Sequence, residues 1–343
     1  MNFSWRNFFV KLFHWEHWPF GIIQLPLIFL WLWYSLRERS LFYFSASNPG
    51  ILTGGMMGES KYEVLALVPD DVKPKTLLIK FPSILEQVLQ KIECAGLAFP
   101  VIFKPDLGER GWMVRRINNA AETKKYLSEI NVDFIVQELI DLPLEFGVYY
   151  VHFPSEENGF VNSITRKEFL YVQGDGKKTL EQLIRQSTRA MLQGELLKIK
   201  FKDSLQETLP DGEKIELVSI GNHCLGTMFL NGNHLITKKL SASFDRISKK
   251  IDGFYFGRFD LRCATLEDLE NGKVKVVELN GCGAEPSHIY QPGTPLWRGV
   301  ADLIAHWKNM HRVSKENHQR GVAYLSFTEG RSIYKKFKAM KAT

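Results

Sequence analysis

The segments GRFDLR (257–262) and VKVVELNG (274–281) constrain the fold more than any other part of the chain. Both alternate with period two, the pattern of strands that keep one face in a core. Arg258, Asp260 and Arg262 then share one face, and Glu278 and Asn280 share one face of the partner, while Phe259, Leu261, Val277 and Leu279 point the other way. The intervening CATLEDLENGK carries Asn271-Gly272, a strong turn dipeptide, which predicts a hairpin or a short-looped strand pair. Such a face is either a solvated surface of ordinary salt bridges or a set of ligands. On the second reading two carboxylates and one amide oxygen converge. Hard oxygen donors grouped in this way suit magnesium, especially magnesium that is also held by nucleotide phosphates.

At 343 residues and 45% hydrophobic, the chain is large enough for two subdomains with substantial cores. A net charge of +6 suits acidic ligands or an anionic membrane surface and does not by itself imply nucleic acid. Cys94, Cys224, Cys263 and Cys282 form no CxxC pair, so the sequence suggests neither a zinc site nor a disulfide framework, and a reducing compartment fits.

The N-terminal 40 residues differ in kind from the rest. Five of the eight tryptophans fall within the first 33 residues, and residues 17–36 carry no formal charge. A helix of that length would cover about 30 Å, roughly the hydrocarbon thickness of a bilayer. Trp5, Phe8, Phe9, Leu12 and Phe13 lie at helical spacing with Arg6 and Lys11 off the stripe, as in a helix lying in an interface, and Trp31, Trp33 and Tyr34 resemble an aromatic belt. Pro19, Gly21 and Pro26 leave three readings open: a spanning helix, a kinked or re-entrant membrane segment, and a buried helix of a soluble domain. A cleaved signal peptide is disfavoured, because the leading region is long and aromatic and no small-residue cleavage site follows. Arg37 and Arg39 favour a cytoplasmic position for the following domain, against Arg6 and Lys11 on the other flank.

Residues 41–80 read as short strands and turns. SILEQVLQKIECAG reads as a helix ending at Gly96, PVIFKPD as a strand, LGERG as a turn and WMVRRI as a returning strand. A charged helix (NAAETKKYLSEI), two strands (DFIVQELI and EFGVYYVHF) and a helical stretch (KKTLEQLIRQSTRAML) follow, then short strands over 210–260 and a final helix over about 296–310. Helices and strands mix without the regular alternation of a doubly wound sheet, which predicts an α+β fold.

FKPDLGERG places Lys104 at the end of an apolar strand, before a turn that contains Gly108 and Gly111. One ammonium and several backbone amides could there surround phosphates, although an exposed lysine beside an ordinary hairpin has the same sequence. VQELIDLPLEF then offers an extended segment able to read an adenine edge, with Glu145 beyond it, or simply an amphipathic strand with an exposed acid.

In this order the lysine strand and glycine hairpin, the strand from Gln137 to Ile140, Glu145, Lys167 in TRKEF, GRFD and ELNG resemble the ATP-grasp superfamily. GRFD…ELN is similar to the D-alanine:D-alanine ligase branch, and VQGDGKKTLEQLI to cyanophycin synthetase and related carboxylate–amine ligases; the resemblance covers about residues 75–310. It implies an ATP-grasp fold, two α+β subdomains gripping ATP, here preceded by a hydrophobic helical segment. It further implies that Lys104 and Lys167 hold the phosphates of ATP under the Gly108–Gly111 hairpin. Gln137, Glu138 and Ile140 would surround the adenine and Glu145 would meet the ribose. Asp260, Glu278 and Asn280 would hold Mg2+, with Arg258 and Lys167 as catalytic residues. Glu285, Ser287 and His288 in EPSHIY occupy the place where family members contact substrate, although a lone histidine is often structural.

The implied activity is a membrane-associated, ATP- and magnesium-dependent carboxylate–amine ligase that passes through an acyl phosphate. Its substrates would be small-molecule or lipid-like, its location the cytoplasmic side of a membrane. A phosphotransferase with the same nucleotide site and a non-catalytic, nucleotide-binding membrane scaffold are the rivals. The expected organisation is a membrane-associated segment (1–40), a short substrate-side region (41–80), the ATP-grasp domain (81–310) and a basic tail (311–343). Two stretches depart from the family pattern. Only about 65 residues separate the apolar segment from Lys104, short for a separate substrate domain, and SASNPGILTGGMMGESK matches no family substrate motif. Its Gly54, Gly55, Gly58, Ser60 and Lys61 form either an anion-binding turn or a structural one. Lys75 is a further possible phosphate contact. The tail, with Lys335, Lys336, Lys338 and Lys341, reads as a solvated end or as an adhesive for anionic lipid; no stacking platform for nucleic acid accompanies it.

Overall fold

The computed structural model describes residues 12–18, 20–108, 111–218 and 226–341. It opens with helix α1 (Phe20–Glu38), whose Ile23, Leu27 and Tyr34 are buried on one face. Turns over residues 43–54 lead to the short helix α2 (Lys61–Ala66), where the Ser60 side chain accepts from the Glu63 amide as an N-cap.

The first lobe comprises β1 (Thr76–Ile79), α3 (Leu85–Cys94), β2 (Val101–Pro105), β3 (Arg115–Ile117), α4 (Ala120–Glu129) and β4 (Phe134–Glu138). Its strands form an antiparallel sheet in the order β1-β4-β2-β3. Val88 and Ile92 of α3 and Tyr126 of α4 pack with Phe103, Phe134 and Val136 of the sheet in one core.

The second lobe starts with β5 (Leu144–Val151) and β6 (Phe160–Glu168). An insertion with its own small core follows: β7 (Leu170–Gln173), α5 (Leu180–Gln186), α6 (Thr188–Leu192), α7 (Gly194–Lys200) and β8 (Lys214–Val218). The main sheet then resumes with β9 (Met228–Asn231), α8 (Lys238–Ser248), β10 (Phe256–Cys263), α9 (Leu266–Asn271) and β11 (Lys275–Asn280). Its order is β11-β10-β5-β6-β9, antiparallel throughout. Phe146, Val148, Phe259, Leu261 and Val276 face a core shared with Leu240 and Phe244 of α8. Helices α10 (Leu296–Gln319) and α11 (Phe327–Lys341) complete the chain. Two larger antiparallel sheets and the two-stranded β7–β8 sheet of the insertion, with their helices, make this an α+β fold.

Several expectations are corrected. Among the described residues no helix is long and apolar enough to cross a membrane. Instead α1 lays one face on the protein: Ile23 and Leu27 pack with Leu303 of α10, and Tyr34 stacks on His311 at 3.9 Å rather than joining an aromatic belt. The interfacial pattern at Trp5, Phe8 and Phe9 lies outside the described residues; Leu12 and Phe13 are exposed. The last long helix runs on to Gln319, because His311, Val313, Ser314 and Asn317 continue its buried face with residues too polar to show the helical period. The basic tail comprises the end of α10, to Gln319, and all of helix α11. Within 41–80 only Thr76–Ile79 is a strand, and within 210–260 the stretch Lys238–Ser248 is a helix, N-capped by Thr237, with Leu240, Phe244 and Ile247 on its buried side.

Candidate functional site

Strands β10 and β11 pair as the alternation predicts. Arg258 lies opposite Asn280 and Asp260 opposite Glu278, while Phe259 and Leu261 are fully buried on the other face. After Asp260 the register shifts and Leu261 faces Val276, so Val277 is an extra residue bulged out of the ladder. The connection, expected as a hairpin or a short loop, is a helix instead. Thr265 caps α9 by accepting from the Asp268 amide, and Asn271-Gly272 ends that helix, with Gly272 in the left-handed region at φ 73°.

Across β10, β5 and β6 the charged side chains form one alternating row. Asp260 accepts from Arg258 Nε and Nη2 (3.1 and 3.0 Å) and from Asn280 Nδ2 (3.0 Å), and it pairs with Lys167 Nζ at 3.1 Å. Lys167 also donates to Glu145 (3.2 Å), whose second oxygen accepts from Arg262 Nε at 2.9 Å. Register explains the row, since Glu145 lies opposite Lys167 on one side and Arg262 on the other. Between them Gly147 lies opposite Asp260; a Cβ there would meet Arg258 Cδ at 3.1 Å and Asp260 Oδ1 at 3.2 Å. Its missing side chain is the space in which Arg258 and Asp260 cross the strand. Burial alone would push the Asp260 carboxyl up, but Arg258 and Lys167 outweigh it and hold the group at about 2, ionised at neutral pH.

The first lobe meets this row at the bulge. Lys104 Nζ from β2 and Gln137 Nε2 from β4 both donate to the Val277 carbonyl (3.1 and 3.2 Å), an acceptor that the bulge frees from regular pairing. Lys104 is buried, and burial pushes its ammonium below the usual lysine range in spite of Glu278 nearby. Ser60 Oγ and the Tyr62 amide both donate to Asp106 (2.9 Å each), which fixes the start of α2, and Lys61 Nζ donates to the Gly108 carbonyl. Lys61 therefore joins the lysine side of the site. The tip of the hairpin between Gly108 and Gly111 lies outside the described residues.

The other expected residues fall into three groups. Near the first-lobe edge, Glu138 binds the Lys75 amide through its side chain (3.1 Å) and the Lys75 carbonyl through its own amide (2.9 Å), and the Ile140 carbonyl accepts from Arg262 (3.0 Å). Glu145 is buried between two cations rather than exposed, so in this structure it orients Lys167. Beyond β11, Arg258 Nη1 donates to the Glu285 carbonyl (2.8 Å) and to Ser287 Oγ (2.7 Å). The Glu285 side chain accepts from Gln24 of α1 and from Tyr290. His288 turns away to Asp302 at 3.3 Å, and burial holds its imidazole below the usual range. The glycine turn anticipated at 54–58 abuts the same wall: the Cys282 and Gly283 amides donate to the Gly54 and Gly55 carbonyls (3.0 and 2.8 Å).

Gly147, Gln24 and Asn48 were not anticipated, and Arg262, expected on the face of Asp260, grips Glu145. Asn48 is buried and ties the N-terminal turns to β10 by accepting from the Tyr255 and Phe256 amides (2.9 Å each). A glycine inside the apolar strand EFGVYY is the one sequence signal that could have pointed to Gly147.

Among the described residues no three His, Cys, Asp or Glu side chains group as a metal cage. Two carboxylates and an amide, Asp260, Glu278 and Asn280, are nevertheless the oxygen-rich, incomplete set that suits magnesium completed by phosphate and water. Held ionised by its neighbours, Asp260 is fit to serve such an ion. Cys263 and Cys282 are buried, with thiols pushed up to about 11 and about 12, which leaves them inert as nucleophiles.

No protein-family model matches the chain, and no curated protein does. Among solved structures it is similar to the VanG D-Ala:D-Ser ligase from Enterococcus faecalis, at 14% identity and a TM-score of 0.42, over 74% of this chain and 62% of that one. The D-alanine–D-alanine ligase from Bacillus anthracis aligns at 12% identity and a TM-score of 0.39, over 82% of this chain and 70% of that one. The ATP-grasp ligase PsnB, in a complex with a precursor variant, Mg and ADP, aligns at 16% identity and a TM-score of 0.37, over 72% and 58%. With TM-scores below 0.5 these likenesses are weak.

Proposed function

We propose that the site binds ATP with magnesium and joins a carboxylate to an amine. The observation that carries this reading is the convergence, from two separate sheets, of Lys104 and Lys167 on the strand pair that bears Asp260, Glu278 and Asn280. Four cations, Lys104, Lys167, Arg258 and Arg262, there accompany three carboxylates, Glu145, Asp260 and Glu278, a balance suited to a polyanion that arrives with its own metal.

In this reading Lys104 leaves the Val277 carbonyl for a phosphate, and Lys167 is presented to another by Glu145. Asp260, Glu278 and Asn280 would hold the metal, whose chemistry there would be neutralisation of triphosphate charge. Gln137, Glu138 and Ile140 line the adenine side. Arg258, fixed by Asp260, the Glu285 carbonyl and Ser287, sits between the metal set and the substrate wall, where it stabilises charge on the reacting carboxylate. A carboxylate is a poor electrophile; its oxygen takes the terminal phosphoryl group of ATP as ADP leaves, and an amine then attacks the acyl carbon, loses a proton and expels phosphate, with no need for an enzyme nucleophile. The location is the cytoplasmic face of a membrane, where ATP is supplied, and the contact of α1 with Glu285 favours a lipid-like substrate.

The test is magnesium-dependent turnover by detergent-purified protein with pools of amino acids, amines, fatty acids and lipid extract, followed by mass analysis. The expected result is ADP and phosphate with a product lighter than its two precursors by one water. A stable product heavier than its precursor by a phosphoryl group would replace the ligase by a kinase, and ATP binding without turnover in every pool would leave a scaffold.

A further inference from the structure

Helix α1 has two apolar faces, and only one is covered among the described residues. Ile23 and Leu27 are buried against α10, but Ile22, Leu25, Phe29, Leu32, Trp33 and Leu36 lie open, from 43% exposed at Leu32 to 77% at Leu36. Their spacing of three, four, three, one and three places them in one stripe along the helix. No charged residue interrupts it, since the first in α1 is Arg37. Single exposed apolar residues are ordinary on a protein surface; a continuous stripe of this length marks a surface that is covered in use.

The surroundings say by what. Arg37 and Arg39 stand at the C-terminal end of α1, and the exposed Lys335, Lys336 and Lys338 lie on α11. α11 is seated at that same end: Gly330 packs so closely on Phe42 that a Cβ would meet its ring at 2.4 Å, and Phe42 belongs to the apolar cluster of Leu30 and Trp31. An apolar stripe too short and too well anchored to span, flanked by cations, matches a lipid interface whose phosphates are negative. A second copy of the chain would cover the stripe equally well but would bring the same cations to the contact.

We infer that the outer face of α1 lies in the headgroup region of an anionic bilayer, with the basic α11 beside it on the lipid phosphates. The inference rests on the membrane location proposed above and deepens it, and it is independent of the nucleotide chemistry. It also places the membrane one helix thickness from the candidate site, because Gln24 of the same helix holds Glu285.

The experiment is flotation of the full chain with vesicles of phosphatidylcholine, alone or with 3 parts in 10 phosphatidylglycerol (about 30% anionic lipid, a composition chosen to supply the surface charge that polybasic segments respond to). The wild type should float with the anionic vesicles at least about tenfold more than with the neutral ones. The double variant Phe29→Asp/Trp33→Asp should lose about tenfold or more, and Lys335→Ala/Lys336→Ala/Lys338→Ala should remove most of the preference for anionic lipid. Unaltered thermal unfolding and an unaltered thermal shift with magnesium ATP would show that the α1 variant is folded and its site intact. Absence of flotation by the wild type, or equal flotation by the α1 variant, would overturn the inference. So would a wild-type dimer that the α1 variant converts to monomer without any vesicle binding. Vesicle binding without an ATP-induced shift would instead defeat the ligase reading and leave the lipid surface standing.

Discussion

The two sheets hold their polar residues in opposite ways. In the five-stranded sheet the row from Arg258 through Asp260, Lys167 and Glu145 to Arg262 is set by strand register; Arg258 is held by Asp260 of its own strand and by Glu285 and Ser287, and the other members are gripped by neighbours on adjacent strands. In the four-stranded sheet, Lys104 and Gln137 reach the site only by sharing the carbonyl of the bulged Val277. The first arrangement is preorganised, and its disruption costs both fold and function. The second is two hydrogen bonds to a neutral acceptor, which a phosphate can replace, so the first lobe is fit to act as a movable jaw over a rigid floor.

This contrast is open to direct attack. Asp260→Asn leaves Arg258 and Lys167 buried without the carboxylate that neutralises both, so turnover should fall about a thousandfold and stability by ~3–5 kcal/mol, read by ADP release and urea unfolding. Lys104→Met should weaken magnesium ATP binding about a hundredfold in calorimetric titration. Because it removes a desolvated ammonium bonded only to the jaw contact, its unfolding midpoint should stay or rise. Loss of stability as large as that of Asp260→Asn would erase the distinction between floor and jaw.

A smaller effect is expected at Gly147→Ala. Its Cβ would crowd Arg258 and Asp260 by a few tenths of an ångström, which should cost about tenfold in turnover and about 1 kcal/mol in stability. The mildest probe is acid. Asp260 has a folded value near 2 against an ordinary 3.8, so the unfolded state binds the proton more readily. The resulting stabilisation is present above about pH 4 and is lost as pH falls through about 2. The acid limb of the unfolding curve should therefore flatten in Asp260→Asn.

The floor was legible because charged residues at period two in apolar strands leave few alternatives, and the α+β class followed from the irregular order of elements. The bulge was not read, although the adjacent Val276 and Val277 already break the alternation of β11. Asn271-Gly272 carries a signal that a hairpin turn and a helix stop share; because Thr265, three residues before Asp268, caps α9, the dipeptide serves as the stop of that helix. α8 and the end of α10 were hidden by polar residues on buried faces, such as Ser243, Ser314 and Asn317. The contact of Glu145 with Arg262 is made by pairing across strands far apart in sequence, which no single segment announces.

Calorimetric titration of the wild type and of Asp260→Asn with ATP, in the presence and absence of magnesium, tests the central claim most directly. One site that requires magnesium in the wild type and is lost in the variant is the predicted result. No binding, or binding indifferent to both magnesium and Asp260, would contradict the assignment of this polar row as a nucleotide site.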